Sequence, residues 1–275
     1  MVDLLGLTQG RDFQSLFAVD TENQTVKRIN MVNSEANTVY KCEKGQYPYD
    51  LILLKSKEQN PDAERLALLS LSFCPHKVIV SILEECKSGM FAVIQSTSFL
   101  AKLTGLIRLV EMQNGTIVIS GNDLSSLHIW TPGQQNTFDI PIPDGKSGAC
   151  GMSIVCDPAG QEELVALTFM GDNSVDVFRM FVNALDLVQH ISLPFKPSRL
   201  LWLASRKILL ISPNDAKDEM HAVRISESKK VQKISVCGEQ SNISYWCAWK
   251  EQNGIESSIV FYDRKMKVLK KLSIE

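Results

Sequence analysis

Apolar, strand-like runs close on a large residue at Trp130, Phe178, Val223 and Tyr262, positions 48, 45 and 39 residues apart. A period near 40–45 residues holds four short strands and their turns. One such unit has apolar side chains on both faces and cannot bury them alone, so copies must stack. Four segments share the pattern of strand, turn, strand, polar turn, strand. The first runs from Leu106–Val110 through Gln113-Asn114-Gly115, Thr116–Ser120 and Gly121-Asn122-Asp123 to Leu127–Trp130. The second spans Gly151–Phe178, the third Arg199–Ile225 and the fourth Ser244–Tyr262.

Similar runs fill the rest of the chain, among them Leu16–Val19, Thr25–Ile29, Leu51–Leu54, Leu66–Leu71, Lys77–Leu83 and Met90–Ile94. Turn residues bound them, which is the signature of strands rather than helices. Glu58–Leu71 and Phe178–Val188 are the best helical stretches, and neither keeps a 3.6-residue apolar period over three turns. Many short, evenly spaced strands leave a sandwich, a barrel or a propeller, and the repeat selects the propeller. The reading is therefore all-β, a single β-propeller domain over residues 1–275, with six or seven four-stranded blades. One or two of those blades fall in the first hundred residues, where the repeat pattern is weakest.

Composition excludes several classes. With 44% hydrophobic and 22% charged residues the chain can bury a core. A net charge of −2 gives no general attraction for nucleic acid or an anionic membrane, so any such contact needs a local basic patch. Met1–Leu7 lacks the basic leader and long apolar stretch of a secretory signal, and no run approaches the roughly 18 apolar residues of a membrane span. The expected location is nucleus or cytoplasm. Seven cysteines without a Cys-x-x-Cys pair point to reduced, mostly buried thiols rather than disulfides or a zinc knuckle.

The stretch from Ser120-Gly121-Asn122-Asp123 to Ile129-Trp130 resembles the ending of a WD repeat, which implies degenerate WD repeats throughout. In that family the Asp stabilises the turn and the Trp fills the space between blades. No Gly-His pair stands at the repeat starts, and Thr131 replaces the usual Asp. Ser98-Phe99-Leu100 with Leu106–Trp130, Leu164–Met180, Leu185–Leu193 and Leu200-Leu201-Trp202 together resemble the non-catalytic WD-repeat subunit of tRNA (guanine-N7) methyltransferase. That resemblance implies a scaffold that binds a catalytic partner, stabilises it and helps hold tRNA, with S-adenosylmethionine on the partner. The family's Ala-Asp-Arg-Asp-Glu-Lys-Ile-Arg run has no counterpart around Ile82–Ile94.

Motifs for chemistry are sparse. There is no Gly-x-Ser-x-Gly elbow, no His-Glu-x-x-His, and Gly145-Lys146-Ser147 lacks the earlier glycine of a phosphate loop. His128, His190 and His221 sit in strands, where a hydrogen-bonded core or blade-edge role is expected. The expectation is no catalysis by the chain itself, no cofactor and no metal. Two alternatives stand beside it. One is a generic protein-interaction propeller. The other is a metal-dependent propeller hydrolase using acidic turns such as Asn122-Asp123, Asp172-Asn173 and Asn214-Asp215. Lys229, Lys230, Lys265, Lys267, Lys270 and Lys271 are the candidate contacts to RNA or a partner, since clustered lysines neutralise phosphates. Trp130, Phe178 and Tyr262 are the candidate interblade residues. Trp246 and Trp249, three apart on one strand, must face opposite sides, one into core and one toward solvent.

Overall fold

The structure is a computed structural model that describes residues 4–55, 63–101, 107–134, 137–146, 148–157, 162–214, 219–225, 231–235, 243–251, 253, 255–263 and 267–273. They form six antiparallel sheets, each a meander of consecutive strands. The first holds β1 (Leu4–Gln9), β2 (Ser15–Asp20), β3 (Thr25–Asn30) and β4 (Ala36–Lys41). The second holds β5 (Gln46–Leu53), β6 (Arg65–Phe73), β7 (His76–Glu85) and β8 (Phe91–Leu100). Next come β9 (Ile107–Glu111), β10 (Ile117–Gly121), β11 (Ser126–Trp130) and β12 (Thr137–Pro141). The fourth sheet is β13 (Ala149–Cys156), β14 (Glu163–Phe169), β15 (Ser174–Met180) and β16 (Leu185–Ser192). The fifth is β17 (Pro197–Leu203), β18 (Ile208–Pro213), β19 (Glu219–Arg224) and β20 (Val231–Ser235). The last has three strands, β21 (Ile243–Lys250), β22 (Glu256–Asp263) and β23 (Val268–Ser273).

This is the all-β propeller architecture expected from the repeat, and of the six or seven blades expected the described residues form six. Two blades occupy the first hundred residues. The strands missed there are β1 and β4; the second carries little apolar pattern, since Ala36–Lys41 buries only Val39 among its six residues. No helix among the described residues is long and apolar enough to cross a membrane.

The chain divides into two compact units, Met1–Leu103 with Ile243–Glu275, and Thr104–Asn242. Each unit holds three blades. In the second unit, Val118, Leu127, Ile129 and Ile140 of the third sheet pack on Val165, Leu167, Phe169 and Phe178 of the fourth. The other face of the fourth sheet, with Ala166, Val175, Val177 and Ile191, meets Leu209, Ile211 and Val223 of the fifth. Alternation along each strand thus sends successive side chains into two different interblade cores. That explains why central strands read as continuous apolar runs.

The first unit repeats this arrangement. Phe17, Val19 and Val26 pack on Leu51, Leu66, Leu68, Leu83 and Phe91. Leu7, Leu16 and Ala18 of the first sheet also pack on Cys247, Trp249, Val260 and Tyr262 of the last. Arg28 bridges Glu64 and Glu85 while its guanidinium lies 4.9 Å from the Phe17 ring centre. Glu64 is buried and also accepts from the Arg11 backbone N–H, so both of these partners of its carboxylate come from the first blade.

One glycine is fixed by contact. A side-chain carbon on Gly148 would overlap the backbone carbonyl of Asn122, so the linker into the fourth blade passes too close for any other residue.

Candidate functional site

The fourth blade carries a polar constellation that brings His190 and Asp172, both singled out in the sequence, together with Asp176, Lys146 and Ser192. β15 buries Asp176, which is 2% exposed, directly opposite His190 on the outer strand β16. His190 Nδ1 lies 2.6 Å from Asp176 Oδ1, and His190 Nε2 lies 3.2 Å from Ser192 Oγ. Lys146 brings its ammonium to 3.0 Å from Asp176 Oδ2 and 2.6 Å from Asp172 Oδ2. Burial alone would lower the Lys146 pKa, but hydrogen bonds to the two carboxylates outweigh it and raise the pKa above the usual lysine value. Asp172 is therefore occupied by a lysine.

The third blade has a related pair at the same two strands in reverse. His128 on β11 meets Asp139 on β12 at 2.5 Å, the two residues being directly opposed. Histidine–aspartate hydrogen bonds thus occur between third and fourth strands, away from the repeat starts where the WD pattern would place the histidine. Only the strand register reveals them, since 14 residues separate Asp176 from His190. His221 is buried and stacks on Phe195 with ring centres 4.1 Å apart.

Apolar side chains are exposed at the β15–β16 hairpin. Phe181, Val182, Leu187 and Val188 are all at least 46% exposed within eight residues of chain. Arg179 beside them pairs with Glu162 at 2.5 Å, and that hydrogen-bonded pair raises the pKa of the arginine and lowers that of the glutamate. In the first unit a groove of about 370 Å³ is lined by residues including Tyr40, Glu43, Lys77, Ile79 and Val93, with no histidine or cysteine among the described residues of its walls.

Trp130 is 1% exposed at the end of β11, with its indole N–H donating to the Gln134 carbonyl at 3.4 Å. Phe178 lies in the core between the third and fourth blades and Tyr262 in the core between the last and first. Trp249 is buried and Trp246 half-buried, so the two face apart as their spacing requires.

Of the six candidate lysines, Lys229, Lys230 and Lys265 lie outside the described residues. Lys267 is exposed at the start of the last hairpin strand. Lys270 pairs with buried Asp263 at 2.5 Å, and Lys271 sits 3.3 Å from Glu251 and 5.3 Å from the Trp249 ring centre. The two do not present free ammonium groups; each offsets an acid within its own blade.

The six described cysteines form no disulfide with one another: Cys42, Cys150 and Cys247 are buried, while Cys74 and Cys86 are exposed. Burial pushes the Cys42 thiol up to about 11 and Cys247 up to about 12. Among the described residues no three His, Cys, Asp or Glu side chains are grouped to hold a metal.

No protein-family model and no curated protein matches this chain. Solved structures do match over its whole length. A chain of a mitotic checkpoint complex superposes with a TM-score of 0.61 at 10% identity, covering 88% of that chain. The PQQ-bound aldose sugar dehydrogenase of Streptomyces coelicolor gives a TM-score of 0.69 at 8% identity, covering 95% of it. A gluconolactonase from Xanthomonas campestris gives 0.64 at 11% identity, covering 86%. At such identities the likeness shows the fold alone. It nevertheless corrects the expectation that the chain does no chemistry, because two of these similar folds belong to enzymes.

Proposed function

We propose that this chain is a partner-binding propeller whose docking surface includes the β15–β16 hairpin, and that the partner is the catalytic subunit of a tRNA (guanine-N7) methyltransferase. The observation that carries the docking reading is the group Phe181, Val182, Leu187 and Val188, exposed together on the outer edge of the fourth blade. Outer edge strands are ordinarily guarded by charge, and grouped exposed apolar residues mark interaction sites. The choice of partner is supported by the resemblance of Leu164–Met180 and Leu185–Leu193, which flank and include this hairpin. A contribution to tRNA binding rests on the lysines near the C-terminus, of which Lys267 and Lys271 are exposed among the described residues, Lys271 beside Glu251.

The test is affinity capture from native extract with mass spectrometry, comparing the natural chain with Phe181→Asp/Leu187→Asp. Both positions are exposed, so the variant should melt as the natural chain does. The methyltransferase subunit should be captured by the natural chain and lost from the variant. Its absence from both captures overturns the choice of partner. Equal capture by both overturns the hairpin as the docking surface.

A further inference from the structure

We infer that Ser192, His190 and Asp176 form a nucleophilic site that takes an acyl group from a short-chain ester onto Ser192. This activity is independent of the docking reading. A hydroxyl becomes a useful nucleophile when a base accepts its proton and a third group holds that base in one tautomer, whatever the fold or chain order. Those three relations are present here at bonding distance. Asp176 Oδ1 lies 2.6 Å from His190 Nδ1 and accepts its N–H, which leaves the lone pair on Nε2 facing the Ser192 hydroxyl at 3.2 Å. Asp176 is 2% exposed and its second oxygen is held by Lys146 at 3.0 Å, so its position is fixed. The working end remains open: the His190 side chain is 51% exposed and Ser192 is exposed.

The strand geometry explains why these side chains meet. His190 and Ser192 are two apart on β16 and share one face of the sheet. Leu193 N–H donates to the Asn173 carbonyl at 2.8 Å, so the hydrogen-bonded pairs of β15 and β16 fall on odd-numbered residues of both strands. His190–Asp176 and Ser192–Ser174 are then the non-bonded pairs, whose side chains approach most closely. At those positions the backbone N–H of Ser192 turns away from β15, toward the outer edge of the last strand in the sheet. It is the donor available to an oxyanion formed at Ser192.

The reaction balances without any cofactor. His190 Nε2 takes the hydroxyl proton as Ser192 Oγ bonds to the ester carbonyl carbon, and the carbonyl π pair moves onto oxygen. Collapse of that adduct breaks the bond to the alcohol, which leaves with the proton from His190. Water then repeats the sequence against the acyl-serine, releasing a carboxylic acid and restoring the hydroxyl. An open site with one oxyanion donor selects substrates with good leaving groups, namely short activated esters rather than amides. His190 is the general base and Ser192 the nucleophile; Asp176 is a positioning residue.

The experiment uses the full chain, a fluorophosphonate probe and p-nitrophenyl acetate, with the variants Ser192→Ala and His190→Gln. Both replaced side chains are exposed, and a melt of each confirms folding. The probe should add to the peptide carrying Ser192, disappear with Ser192→Ala, and slow about a hundredfold with His190→Gln, as loss of a general base requires. Nitrophenolate release should fall in the same two variants. No adduct, an adduct elsewhere, or undiminished labelling in folded His190→Gln overturns the inference and leaves the three residues as hydrogen bonds of the blade edge.

Discussion

Phe178 and Phe181 stand three residues apart on one hairpin, yet the fold gives them opposite energetic weight. Phe178 is 2% exposed between two blades, with its ring edge-on to Phe169 at 6.2 Å between centres. Phe181 is 51% exposed past the end of the strand. Truncating a buried phenylalanine to alanine costs about 3–5 kcal/mol, the sum of lost burial and an unfilled cavity. Of this, roughly 0.5–1.5 kcal/mol belongs to the edge-to-face ring pair. For a chain of this size each kcal/mol lowers the midpoint by about 2–4 °C, so Phe178→Ala should melt roughly 6–20 °C below the natural protein. Phe181→Ala should stay within about 0.5 kcal/mol of it. Urea and thermal unfolding followed by circular dichroism and by tryptophan fluorescence measure both, and agreement of the two probes checks that one transition is seen. A Phe178→Ala protein as stable as the natural one would refute the interblade packing of the third and fourth sheets. So would a Phe181→Ala protein that is equally damaged.

Two further outcomes follow from the first and fourth blades. Gly148→Ala should destabilise by more than an ordinary surface change, because the added carbon meets the Asn122 carbonyl; a melt unchanged by that substitution would place the linker elsewhere. Asp20 is buried, and although burial favours its neutral form, hydrogen bonds from Lys27 and Asn23 win and hold its pKa below the ordinary 3.8. A depressed carboxylate stabilises the fold above its unfolded pKa and loses that contribution as pH falls through the folded value. The natural protein should therefore lose stability below about pH 4 more steeply than Asp20→Asn. Denaturant midpoints measured from pH 7 down to pH 2 decide this, and parallel curves would exclude Asp20 as a source of the acid sensitivity.

The repeat of Trp130, Phe178 and Tyr262 contained the architecture, because a strand buried on both faces must be apolar throughout and blades of four strands recur at a fixed length. Where a blade lies at the edge of that pattern, as with Ala36–Lys41, half-exposed strands lose the signal and the count becomes uncertain. Composition and repeat spacing alone thus determined an all-β propeller and the buried ends of its strands. The pairing of Asp176 with His190, the lysine that holds Asp172, and the ion pairs of Lys270 and Lys271 were decided only in three dimensions. Each depends on cross-strand register or on a linker crossing the blade. A change of one residue in register sends the side chain to the opposite face, and no local propensity records which face that is.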